Sequence, residues 1–194
     1  MREGSPVALK EWAVTEEALA AGQIALLIRK GGIHERRGGF GVEHREFWIF
    51  PTGWHQNAAD LAEPLHPLMD RLTPPPAGTV PFRVYAVVDD LFRITNTDVL
   101  DALEGMHPLA PPAAHYRFNY AGKPFVHALI VRAYRLPEPV ARPDTLRYEG
   151  CVSWVELDEP LSTAGLQPVL SDGDFAALKG EILRRMGTAG VERV

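Results

Sequence analysis

Charged, histidine and tryptophan side chains gather between Ile24 and Gln56, where IALLIRKGGIHERRGGFGVEHREFWIFPTGWHQ sets polar groups at the ends of two apolar runs. Arg29 and Lys30 close the first run beside Gly31 and Gly32. A cation pair next to backbone amides suits a phosphate or a carboxylate. In EHREFW the strand period of two places Glu43, Arg45 and Phe47 on one face and His44, Glu46 and Trp48 on the other. Glu43 or Glu46 is then a candidate acid, base or metal ligand, with His44 nearby. The competing reading is a solvated strand end whose cross-strand ion pairs contribute a few tenths of a kcal/mol each. After Pro51, the turn Thr52-Gly53-Trp54-His55-Gln56 offers an aromatic plane beside two hydrogen-bonding side chains, a fit for a planar ligand or base.

Other groupings are weaker. His34, His44 and His55 follow no recognised ligand spacing, so no metal site is assigned. Gly38, Gly39 and Gly41 do not form GxGxxG at the start of a helix, and RKGG lacks the frame of a phosphate loop. Asp89 and Asp90 interrupt the apolar run YAVVDDLF, where a buried carboxylate costs several kcal/mol unless paired. Either a bulge rotates both outward, the favoured reading, or Asp90 shares a polar site with Arg29, Lys30 or Arg132. Tyr116, Arg117, Phe118, Tyr120 and Lys123, continued by Arg132, Tyr134 and Arg135, alternate aromatic and basic groups, as do stacking platforms for single strands and also ordinary half-exposed elements.

The elements that must hold these residues follow from periodicity and punctuation. Ser5 and Pro6 form a cap and first-turn pair, and Leu9, Trp12, Ala13, Leu19 and Ala20 recur at near-helical spacing, which predicts a first helix ending at Gly22. Strands are expected near 24–29, 40–50, 82–94, 125–136 and 152–157, each bounded by glycine or proline. Leu61, Leu65, Leu68, Met69 and Leu72 predict a helix broken by Pro64 and Pro67. Thr97 caps a short helix, and Ser171 caps a terminal one with Phe175, Leu178, Ile182 and Met186 inside. Strands and helices do not alternate regularly, so the expected class is α+β: a mainly antiparallel curved sheet or partly open barrel with flanking helices. One domain is expected over 1–194, with the proline run 73–78 as a connector.

At 46% apolar and 23% charged residues, the 194-residue chain has the composition of a folded domain. A net charge of −5 gives no global attraction to nucleic acid, so such binding requires a local basic patch. No apolar run reaches the roughly 20 residues of a membrane helix, and the N-terminus has no signal-peptide core, which makes a cytoplasmic location the expectation. Cys151 is the only cysteine; no internal disulfide forms, and its apolar flanks point to packing.

LKEWA at Leu9 to Ala13, LIRKGGIHE at Leu27 to Glu35, VEHREFWIFPTGWHQ at Val42 to Gln56 and GCVSWVEL at Gly150 to Leu157 resemble a bacterial family known as domain of unknown function 1802. The resemblance implies a prokaryotic cytoplasmic protein linked to nucleic-acid binding or modification, and supplies no catalytic residues. The leading functional expectation is a nucleotide- or nucleic-acid-related binding or modifying module, with Glu43, His44 and Glu46 as candidate catalytic groups. Arg29, Lys30, Trp54, His55 and Gln56 are its candidate ligand contacts. No cofactor is expected. The alternatives are a metal-dependent nuclease or phosphoesterase built on Glu43, Glu46 and Asp90, which would need a divalent ion, and a protein-interaction module without a small ligand.

Overall fold

A computed structural model describes residues 3–30, 44–53, 56–150 and 152–194. Glu43, Trp54, His55, His34, the glycine clusters between Gly31 and Gly41, and Cys151 lie outside the described residues. In chain order the elements are β1 (Gly4–Trp12), α1 (Ala13–Ala20), β2 (Leu26–Arg29), β3 (Glu46–Thr52), α2 (His66–Met69), β4 (Thr79–Ile94), α3 (Thr97–Ala102), α4 (Pro111–Asn119), β5 (Val126–Pro143), β6 (Trp154–Ser162), β7 (Gln167–Pro168), α5 (Asp172–Met186) and β8 (Val191–Arg193).

The fold is α+β, around an open, mostly antiparallel sheet of eight strands ordered β2-β5-β4-β3-β1-β6, with β7 added to β5 and β8 to β4. The β1–β3 pair is parallel, in register from Ala8 opposite Trp48 to Trp12 opposite Thr52. Strands from either side of the proline run therefore share one sheet, and residues 73–78 cross the surface exposed. Apolar side chains cover both faces. Leu9, Leu27, Phe47, Ile49 and Leu129 pack under Val14, Ala18 and Leu19 of α1. On the opposite side of β2 and β5, Leu26, Ile28, Ala128 and Ile130 meet Leu100, Phe118 and Ile182 of α3, α4 and α5. A third group joins Ala8, Trp48, Phe50, Phe82 and Tyr85 to Tyr148.

The expected first helix is largely a strand. Residues 4–12 form β1, hydrogen-bonded to β3 on one side and β6 on the other, and only 13–20 are helical. Leu9 and Ala8 are buried on opposite faces, so the two-residue alternation that marks a half-buried strand is lost. Pro6, which has no N–H to give a ladder, lies where the β1–β6 register shifts between Ser5 and Val7. The helix expected near 61–72 shrinks to the single turn α2 plus 3-10 turns at Ala58–Asp60 and Glu63–Leu65, since Pro64 and Pro67 fit only first-turn positions. Tyr116 to Phe118 belong to helix α4, opened by Pro111 and Pro112.

The terminal helix α5 begins at Ser171, whose hydroxyl accepts from Asp174 N at 3.1 Å. At the Asp89–Asp90 step the β4–β5 register shifts between Val88 and Asp90, which is the expected bulge. It does not turn both acids outward: Asp89 is exposed, while Asp90 is 4% exposed. Asp90 is paired with Lys179 of α5 at 2.5 Å and with Arg193 of β8, not with Arg29, Lys30 or Arg132. Arg132 instead meets Asp172.

Candidate anion-binding cleft

Two strands that end in charged residues, VALKEW and LLIR, finish beside each other at the rim of a cleft of about 100 Å³. Lys10, Glu11 and Trp12 come from the end of β1, Thr52 from the parallel end of β3, Arg29 from β2, Pro108 and Leu109 from the loop before α4, and Arg117 from α4. The volume is several times the roughly 10–15 Å³ that holds one water by a like measure.

Each polar group is held by the fold. Arg29 Nη1 donates to Glu11 Oε1 at 2.8 Å and to Lys10 O at 3.2 Å, and its Nη2 donates to Ser153 Oγ at 2.6 Å. Thr52 Oγ1 donates to Glu11 O at 3.1 Å, tying the two parallel strand ends together. Lys10 Nζ donates to Gly150 O at 3.0 Å and to Tyr148 O. Arg117 Nη1 donates to Ile28 O at 2.8 Å, and its guanidinium lies 6.0 Å from the Trp12 ring centre. Burial lowers the Arg117 pKa to about 10; Arg29 adds repulsion, and Glu11 and Asp60 offset part of it. Two guanidiniums, Arg29 and Arg117, thus face one lining carboxylate, Glu11, which is itself engaged by Arg29, while Lys10 lines the cleft with its backbone and turns its ammonium to the Tyr148 and Gly150 carbonyls on the other face.

Of the cation pair expected to hold an anion, Arg29 lines this cleft and Lys30 does not. Neighbouring residues on a strand point to opposite faces, and Lys30 runs under α4. There its ammonium donates to the carbonyls of Phe118 at 2.8 Å, Phe125 at 2.6 Å and Lys123, and it sits 4.3 Å from the Phe125 ring centre. All three N–H groups are spent on backbone. Desolvation, then Lys123 and Arg93, lowers its pKa. Gln56 serves structure as well, its Oε1 accepting from Val14 N at 3.0 Å. This caps α1, whose own preceding residue Trp12 supplies no side-chain acceptor.

His44 packs edge-on against Trp154 with ring centres 5.2 Å apart, and Trp154 contacts Phe47 in the same way at 5.0 Å. Glu46 accepts from the Tyr85 hydroxyl at 3.3 Å, on the face of Trp48. Glu46 and Asp90 are therefore committed to separate partners, and no group of three or more potential metal ligands is found among the described residues. Lys10, Glu11, Trp12, Thr52 and Arg117 were not singled out for this cleft from sequence. The available signal was that VALKEW, like LLIRK, ends an apolar run in charge.

A crystal structure of the ASCH protein from Zymomonas mobilis matches 90% of this chain and 93% of its own at 15% identity, with a TM-score of 0.40. A serine-to-alanine variant of the same protein matches 93% and 98% at 14% identity, with a TM-score of 0.42. No curated protein matches the chain. The model of the family described as Domain of unknown function (DUF1802) matches residues 8–181, a span that takes in every residue lining the cleft, from Lys10 to Arg117, and Ser153 that holds Arg29. The chain belongs to the DUF1802 family.

Proposed function

We propose that the protein binds a nucleotide or single-stranded nucleic acid, and that the cleft between β1, β2 and α4 holds a phosphate. The observation that carries this reading is the convergence of the Arg29 and Arg117 guanidiniums on one cleft in a chain of net charge −5. Such a local excess is what a polyanion requires when the whole molecule repels it. Glu11 and Ser153 orient the Arg29 fork, so little side-chain freedom is lost on binding. An anion between Arg29 and Arg117 would relieve their mutual repulsion. Trp12 supplies an aromatic surface beside the guanidinium.

Fluorescence anisotropy with a fluorescein-labelled nucleoside monophosphate tests this at low salt, where electrostatic binding is strongest. Hydrogen bonds to charged groups contribute about 1.5–3 kcal/mol, so Arg117→Gln is expected to weaken binding by about tenfold or more. Arg117→Lys, which keeps the charge and loses the planar fork, is expected to fall between the two. Thermal melts confirm that both variants fold. No binding by the unaltered protein to this probe or to a labelled ten-nucleotide single strand would refute the reading.

A further inference from the structure

Outside the cleft, the far end of α4 carries an aromatic and basic surface that the phosphate site does not use. Tyr116 is 72% exposed, one of three large apolar side chains left in solvent among the described residues. It meets Tyr120 at 6.2 Å between ring centres. The chain then turns through exposed Lys123 to Phe125, whose ring has the Arg93 guanidinium 4.5 Å from its centre and the His127 ring 5.5 Å away. The sheet connects this surface to the cleft. His127 is the register partner of Arg29 on β2 and of Arg93 on β4. Directly opposed residues share a face, so the three basic side chains form a row spaced by about 4.8 Å per strand. Among the described residues Arg93 has one ion-pair partner, the exposed Glu192 at 3.9 Å. Lys30 adds a further buried positive charge beneath Phe125.

We infer that this surface is a second contact for single-stranded nucleic acid, with phosphates on Arg93 and Lys123 and a base stacked on the exposed ring of Tyr116. The inference extends the proposed phosphate cleft: the row from Arg29 through His127 to Arg93 lies on the sheet face turned away from α4, so a strand entering at Arg29 would follow it to Phe125 and round the strand ends past Lys123 to reach Tyr116. Exposed rings with interleaved cations fit single strands, because every base offers a face for stacking. A duplex buries those faces, and an acidic protein partner would use the cations without Tyr116.

The test uses the full chain and two probes, a labelled nucleoside monophosphate for the cleft and a labelled ten-nucleotide single strand for both surfaces. Tyr116→Ala is expected to weaken binding of the ten-nucleotide strand by roughly fivefold or more and leave the mononucleotide unchanged. Lys123→Ala is expected to reduce the slope of log affinity against log salt by about 0.7. Unchanged affinity for the ten-nucleotide strand in both variants would overturn the inference. It would also fail if duplex or heparin bound as tightly as the single strand and Tyr116→Ala had no effect, since the surface would then be only a patch of charge. If Arg117→Gln leaves mononucleotide binding intact while Tyr116→Ala still weakens the longer strand, the cleft reading fails and this surface stands by itself.

Discussion

Glu16 gives the most direct test of how burial sets stability in this fold. It lies on α1, 7% exposed, with Oε1 buried and without a hydrogen-bond partner. Burial raises its pKa from 4.5 to about 7; nearby Arg83 and backbone N–H groups of Val84 and Arg83 oppose the shift, while Glu17 adds to it. The carboxyl is thus neutral in the folded protein at pH 5–6, where the unfolded chain has already lost the proton. Over this window the native state binds more protons, so the contribution of Glu16 is full below pH 4.5 and is lost as pH rises through about 7. At 1.36 kcal/mol per pH unit, the displacement from 4.5 to about 7 corresponds to about 3 kcal/mol, of which about 2–3 kcal/mol falls between pH 5 and 8. Glu16→Gln keeps the shape and an acceptor for the β4 amides but cannot ionise. Urea denaturation of both proteins at pH 5 and pH 8 should show the wild type losing that amount relative to the variant. The comparison between proteins matters because buried His107, its pKa lowered by burial to about 4, acts with the opposite sign: its contribution is lost as pH falls below 6.5. Parallel stability curves for the two proteins would refute the assignment of a buried neutral carboxyl at Glu16.

Two further substitutions separate structural from binding roles. Lys30→Met should destabilise the protein by at least about 2 kcal/mol in urea denaturation, because three backbone carbonyls lose their donor. Nucleotide affinity measured on the folded fraction should change little. Gln56→Ala should cost about 1 kcal/mol by removing the acceptor for Val14 N at the start of α1, read as a lower melting temperature. A loss of ligand affinity with unchanged stability would instead place Gln56 in the binding site.

Local chemistry made much of the framework legible. β-Branched runs closed by glycine and proline located β2, β4, β5 and β6, although β4 begins earlier, at Thr79, and β5 and β6 continue to Pro143 and Ser162. Ser171, followed three residues later by Asp174, announced α5. The two acids in YAVVDDLF announced the bulge, but not its outcome: Asp90 stays buried, its charge met by Lys179 and Arg193. The family could be read from the motifs at both ends of the cleft.

Tertiary structure decided how the charges were used. Ser5-Pro6 has the residue types of a helix start, yet pairing on both edges with β3 and β6 outweighs that weak local preference and makes β1 a strand. Arg29 and Lys30 are adjacent in sequence, and their chemistry alone suggests one shared anion site. The pleat sends them apart: Arg29 meets Glu11 and Ser153, and Lys30 meets carbonyls 88 to 95 residues away at the end of α4. The sequence by itself determined which residues carry charge and where most strands lie, since those depend on side-chain type and near neighbours. Arg117 reaches the cleft only because α4 packs over the edge of β2. Which cations converge depends on contacts between distant segments, and no local pattern records those.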